Sequence, residues 1–203
     1  MDLFITYVCS NCRHSVKTFS LTVGHNGTND VDEAAKFGEI PPFGPPTPTR
    51  LLKLLGDQRD IFLKGRRCEF QGLGIGAFGY YRRVVEHQKT RIIEEIIAVS
   101  KTLNATPEDI VALQAARDET QFTKSISLIK DALPQTLLIN GQNPLTLLHS
   151  ALSAGLHEQT DERCLELAHA IRIVLAELAE KLAQAFKDKA EIAAALSLMM
   201  KRE

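Results

Sequence analysis

The sequence predicts an all-α bundle behind a small β-hairpin, and three observations carry that prediction. Apolar residues recur at helical spacing from about residue 50 to the end of the chain, whereas the first 23 residues hold two short runs rich in β-branched and aromatic side chains. Between the two regions fall five of the eight prolines. The division is therefore a hairpin over residues 1–24, a Pro/Gly-rich linker over 25–49 and a helical domain over 50–203. A chain of 203 residues with 44% hydrophobic content can bury one sizeable core plus an appendage.

In order, residues 3–8 (LFITYV) and 16–23 (VKTFSLTV) read as two strands joined by the turn-like CSNCRHS. Residues 24–49 change character: HNGTNDVDE is polar and turn-forming, and PPFGPPTPT excludes helix and favours an extended, semi-rigid linker. Residues 50–65 suggest a short helix. After GRRCEFQG, the positions Phe78, Tyr81, Val85, Ile92, Ile96 and Val99 form one buried helical stripe. Thr106 and Pro107 with Glu108 and Asp109 give a cap, a first-turn proline and first-turn acids. The spacing of Phe122, Ile126, Ile129 and Leu133 continues that third helix to Pro134. Asn143-Pro144 opens another helix, closed by Gly155. Thr160-Asp161-Glu162 opens the longest, with Leu165, Ala168, Ile171, Leu175, Leu178 and Leu182 inward.

Four stretches bear on chemistry. Gly74, Gly76 and Gly79 spell G-x-G-x-x-G, the spacing that cradles a dinucleotide pyrophosphate between a strand and a helix. Strand–helix alternation is missing here, and Glu94, 20 positions after Gly74, falls within a helix. The glycines are therefore expected to let another element pack close to a helix start, and no dinucleotide is expected. Cys9 and Cys12 have the separation of one zinc knuckle, but a closed tetrahedral site takes four ligands. Only His14 and His25 lie close in sequence, so any zinc is expected to draw its remaining ligands from a second chain or an upstream segment. The run YYRRVVEH places Arg83 and His87 on one helical face and Arg82 and Glu86 on another, at i and i+4. An Arg–His pair could bind phosphate and move protons; the plainer reading is an Arg82–Glu86 ion pair beside an ordinary helical histidine. His157, just past Gly155, is either a proton shuttle or a loop histidine that caps the preceding helix end. Arg163 and His169 lie about 240° apart around their helix and are discarded as a pair.

The stretches YVCSNCRHSVKTFSLTV, KFGEIPPFGPP, LGDQRDIFLKGRRCEFQGLGIGAFGYYRRVVEH and LLHSALSAGLHEQTDERCLELAHAIRIVL resemble an uncharacterised family of bacterial proteins. Those proteins have a zinc-ribbon-like N-terminus and a C-terminal helical domain similar to the HEPN superfamily. The resemblance implies another C-x-x-C upstream of Cys9, so the chain reads as a shortened form. It also implies a link to defence against foreign nucleic acid. Active HEPN ribonucleases carry an Arg followed by His after four to six residues. The corresponding positions before His157 are Ser150, Ala151 and Leu152, while Arg82 and His87 have the spacing on an earlier helix. The reading is a helical binding or regulatory module with no assigned reaction. Its alternative is a metal-independent ribonuclease using Arg82 and His87, with Arg83 on phosphate.

Composition narrows the partners. A formal net charge of −1 argues against a generally basic nucleic-acid or membrane-surface binder. The start MDLFITYVCSNC lacks the features of a signal peptide, and four cysteines without a framework fit a reducing compartment, so a cytoplasmic location is expected. Apolar residues on more than one stripe of the last helices (Ile173, Val174, Leu175 and Leu178, then Ile192, Leu196, Leu198, Met199 and Met200) predict a helix-mediated homodimer, with RNA or another protein as a further partner.

Overall fold

A computed structural model describes residues 1–26, 31–41, 46–153 and 159–200. It divides into two compact units, Met1–Pro46 and Thr47–Glu203. The first is an antiparallel meander of β1 (Asp2–Val8), β2 (Val16–Asn26) and β3 (Val31–Ile40). The expected hairpin is thus β1 and β2, but the segment expected to be linker carries a third strand. Its sequence, VDEAAKFGEI, is poor in strand-forming residues, so pairing with β2 makes the strand rather than its own propensity. Ser20 pairs with Gly38 and Leu21 with Lys36, which leaves Phe37 bulged out of register, and its ring meets Phe4 edge-on at 6.4 Å.

The second unit is mainly helical, with α1 (Thr49–Leu55), α2 (Arg59–Phe70), α3 (Gly74–Thr102), α4 (Pro107–Asp118), α5 (Phe122–Leu128), α6 (Pro144–Ser153) and α7 (Asp161–Met200). The single helix expected over 50–65 is broken at Gly56, whose φ of +51° suits a residue without Cβ. Arg91 of α3 seals the break by donating to the Lys53 carbonyl, and Gln88 donates to Asp57 at 2.6 Å.

The long α3 is the central column. The six positions of its predicted stripe are at most 1% exposed, and Val84, Ile93 and Ile97 widen the buried face so that α2, α4 and α7 can all pack on it. Along α7 the buried residues Cys164, Ala168, Ile171, Leu175, Leu178 and Leu182 alternate spacings of four and three, the seam of two helices packed at a shallow angle. That seam starts one residue earlier than the periodicity suggested, at Cys164 rather than the half-buried Leu165.

The helix expected from Pro107 to Pro134 is two helices. Thr106 caps its start by accepting from the Asp109 amide, as expected. Its early end is set from α3: the buried Lys89 ammonium donates to the carbonyls of Ala116, Arg117 and Glu119, and the Ser125 hydroxyl donates to Ala116. These donors satisfy the last-turn carbonyls that a continuing helix would have used. At the start of α6, the Asn143 side-chain oxygen accepts from Leu145 while its amide donates back to Ile129. Gly155, expected to close α6, lies outside the described residues.

Close packing of α2 on α3 depends on Gly65. A Cβ there would stand 2.7 Å from the ring of Tyr81, which is fully buried and stacked on Phe62 at 4.9 Å. Gly65→Ala gains about 1 kcal/mol of helix propensity but overpacks a ring that cannot move, at a cost of about 1–3 kcal/mol. The expected result is a net loss in midpoint on thermal melting; a raised midpoint would contradict this packing.

Candidate functional site

The glycine motif sits where α3 begins. Backbone amides of Gly74 and Ile75 donate to the Asp161 carboxylate at 2.9 and 2.8 Å. A Cβ at Gly74 would overlap the Asp161 carbonyl oxygen and lie 2.6 Å from the Leu165 amide. The place a pyrophosphate would take at this helix start is held by a carboxylate of the chain's own α7. Those two amides, Ile75 first, hold Asp161 below the usual carboxylate range. The three glycines do not share one role: Gly76 lies 3.2 Å from the Cys68 sulfur by the same measure, and Gly79 faces open space.

One turn further on, the YYRRVVEH segment splits between surface and core. Arg82 Nε donates to Glu86 at 2.9 Å, the ion pair its spacing suggested, and both side chains are about 40% exposed. Arg83 and His87 are exposed, and among the described residues neither has a hydrogen bond or ion pair. Among the described residues Arg82 and His87 share no hydrogen bond, and His157 lies outside the described residues.

Tyr81 points inward, to a site the sequence did not disclose. Its hydroxyl donates to Glu69 Oε2 at 2.6 Å. Arg172 Nε meets both oxygens of the same carboxylate at 2.9 and 3.0 Å, His169 Nδ1 stands 3.0 Å from Oε1, and Arg66 reaches Oε2 at 3.4 Å. The Glu69 side chain is only 6% exposed. Burial pushes its carboxyl up, but the hydrogen bonds from Tyr81, Arg172 and His169 with the Arg172 charge outweigh burial and hold it below the usual carboxylate range. Burial, followed by the Glu69 hydrogen bond and charge, pushes the Tyr81 phenol far up. His169 Nδ1 also lies 2.8 Å from Arg172 Nη2 and cannot serve both neighbours; donation to Glu69 leaves Nε2 as the acceptor of a half-exposed ring. Arg163, the partner considered for His169, instead pairs with Glu166 at 2.6 Å. The one signal available in the sequence was the i, i+3 spacing of His169 and Arg172 and of Arg66 and Glu69; the pairing of α2 with α7 had none.

Lys89 is a buried ion outside that cluster. Desolvation is the largest influence on its ammonium and lowers its pKa, opposed by Glu119 and Asp118. Its donors all go to the carbonyls at the end of α4, so it acts as a helix cap.

In the first unit, Cys9 and Cys12 occupy the exposed turn between β1 and β2. The Cys9 amide donates to the Ser15 carbonyl and the Arg13 amide to the Cys9 carbonyl, both at 2.8 Å, with Arg13 at a φ of +56°. Around Cys12 Sγ gather the Ser15 hydroxyl at 3.3 Å and the Ser15 amide at 3.4 Å. The Ser15 hydroxyl, the His14 and Ser15 amides and the Cys9 thiol lower the Cys12 pKa to about 6. His14 turns its Nδ1 to the Cys12 carbonyl. Among the described residues, no group of three or more His, Cys, Asp or Glu could hold a metal ion. The donor set fits half of a tetrahedral thiolate site.

No helix among the described residues is long and apolar enough to cross a membrane. No family model, curated protein or solved structure matches this chain.

Two sets of variants test these assignments. Gly74→Ala is expected to destabilise by several degrees because the Asp161 backbone blocks its Cβ, whereas Gly79→Ala gains about 0.5–1 kcal/mol of helix propensity; equal effects would refute the close approach. Glu69→Ala strands the Arg172 and Arg66 charges and is expected to cost about 3 kcal/mol in urea unfolding. Because its folded pKa is depressed, Glu69 contributes fully above the unfolded value of about 4.3. That contribution is lost as pH falls through the folded value. Glu69→Gln is thus expected to flatten the acid limb of the stability profile, and an unchanged limb would contradict the assignment.

Proposed function

We propose that the chain is a binding and regulatory module with an HEPN-like helical unit that self-associates through the C-terminal turns of α7 and a thiolate knuckle that binds zinc. The observation that carries the self-association is the overrun of α7. Its last buried residue among those described is Ala185, yet the helix continues to Met200. Along that continuation Ile192 is 60% exposed, and Leu198, Met199 and Met200 are 72–81% exposed. No described side chain of that stretch is buried; a helix of about 15 residues without a buried face is marginal in water, and exposed apolar side chains of this size mark a surface that another helix covers.

A second copy fits this surface best. Lys187, Asp188, Lys189 and Glu191 sum to no net charge, so the segment favours a partner of its own neutral balance over a strongly acidic or basic one. Beside it an open hollow of about 440 Å³, lined by Leu103, Ala185 and Ile192 among others, offers a seat for a neighbouring helix. The expected interface is narrower than the sequence suggested: Leu175 and Leu178 are fully buried in the chain's own core and Val174 packs against it, leaving Ile173 half exposed.

The ribonuclease alternative gains no support from the geometry, since Arg82 is engaged by Glu86 and, among the described residues, His87 has no hydrogen bond or ion pair. Light scattering at high micromolar concentration is expected to report a dimer for the wild-type chain and a monomer for Ile192→Glu/Met199→Glu with unchanged helicity. A wild-type monomer would overturn the self-association. RNA cleavage abolished by His87→Ala would overturn the binding-module reading and install the nuclease.

A further inference from the structure

We propose that the hollow between α1, α3 and α7 binds a small organic anion of one class, an aromatic phosphate monoester. The hollow encloses about 330 Å³, within the range of small-molecule sites. Its apolar and its charged lining come largely from different helices.

Most of the apolar floor belongs to α7. Ala179 and Ala183 stand at i and i+4, so two methyl groups occupy a face of the helix where larger side chains would fill the gap toward α1. Leu182 and Phe186 border them, and Leu54 of α1 completes the apolar lining. Leu54, Ala179 and Leu182 are buried, whereas Phe186 stays 39% exposed. An open ring beside a floor of methyl groups is a surface against which a flat apolar body packs.

The rest of the lining is mostly cationic. Arg50 and Lys53 of α1 and Arg91 of α3 outnumber Glu95, the one acidic residue among the described residues that line the hollow. Arg50 is steadied by an ion pair with Glu180. Arg91 is fixed by donation from Nη2 to the Lys53 carbonyl at 3.0 Å and by the packing of Nη1 over Gly56, in the space a Cβ would need. Lys53 is exposed, and its ammonium has no ion pair or hydrogen bond among the described residues. Two preplaced guanidiniums and an uncommitted ammonium suit an anion with more than one negative charge. A phosphate monoester brings about −1.5 to −2 charges and three acceptor oxygens, whereas a carboxylate brings a single charge and two oxygens. The formal net charge of −1 disfavours a long polyanion, which needs an extended basic surface.

This site goes beyond the self-association. At about 100° per residue, Ala179, Ala183 and Phe186 lie on the opposite side of α7 from Gln184, Asp188 and Ile192. A helix that covers Ile192 therefore leaves the hollow open.

The test titrates the full chain by calorimetry with 1-naphthyl phosphate, and separately with inorganic phosphate and 1-naphthol as the two halves of that probe. One 1-naphthyl phosphate per chain is expected, with each half bound at least about tenfold more weakly. Ala183→Leu fills the floor and is expected to abolish binding with an unchanged or raised thermal midpoint, since it adds apolar contact and removes none. Lys53→Ala, at an exposed position that leaves the fold intact, is expected to weaken binding about tenfold; it decides the matter should Ala183→Leu fail to fold. Absence of 1-naphthyl phosphate binding would overturn the site, as would an affinity left unchanged in either folded variant. Inorganic phosphate or 1-naphthol bound as tightly as the ester would overturn the ligand class.

Discussion

Removing a carboxylate from water costs several kcal/mol unless donors replace the lost hydration. In this chain the carboxylate of Glu69 imposes that requirement, and α2, α3 and α7 take their positions in meeting it. Tyr81 from α3 and Arg172 and His169 from α7 converge on two oxygens carried by α2, joined by Arg66 one turn away. Tyr81 can reach Glu69 only because Gly65 leaves room for its ring, and the ring in turn stacks on Phe62. At the start of α3 the same two columns are joined again, by Asp161 on the amides of Gly74 and Ile75. An apolar seam alone would tolerate a slip of α7 along α3; two polar locks with defined partners remove that freedom.

The locks also explain the character of the helical unit. Two of its buried ionisable groups are committed to architecture: Glu69 with its donors, and Lys89 with the carbonyls that end α4. Catalytic groups need an open approach and a free proton position; the Glu69 carboxylate and the Lys89 ammonium are instead held by partners within the fold. What remains available lies on surfaces: the end of α7, the Arg83 and His87 side of α3, and, in the first unit, the thiols of the β1–β2 turn.

Much of the helical architecture was legible in the sequence. The stripe on α3, the Thr106-Pro107 start of α4, the Asn143-Pro144 start of α6 and the opening of α7 at residues 160–162 are local signals, each written within one or two turns. The Arg82–Glu86 pair was legible for the same reason. The errors share the opposite property. The strand over Val31–Ile40 is held by its partner against weak propensity of its own. The continuous helix expected past Asp118 is stopped by a lysine 27 or more residues earlier in the chain. His169 was set aside because it does not face Arg163 on its own helix, whereas its partner is 100 residues away on another.

By itself, then, the sequence determined where most helices begin, which of their faces are apolar, that an N-terminal β segment carries a two-thiol turn, and that a glycine opens α3 where another element packs close. Only the tertiary structure decided which polar groups meet. Glu69 and Arg172 are separated by 103 residues, and the Gly74 amide and Asp161 by 87. Periodicity reports the direction of a side chain relative to its own helix axis. It carries no information on the rotation and offset between two helices, and those two quantities choose the partners of a buried charge.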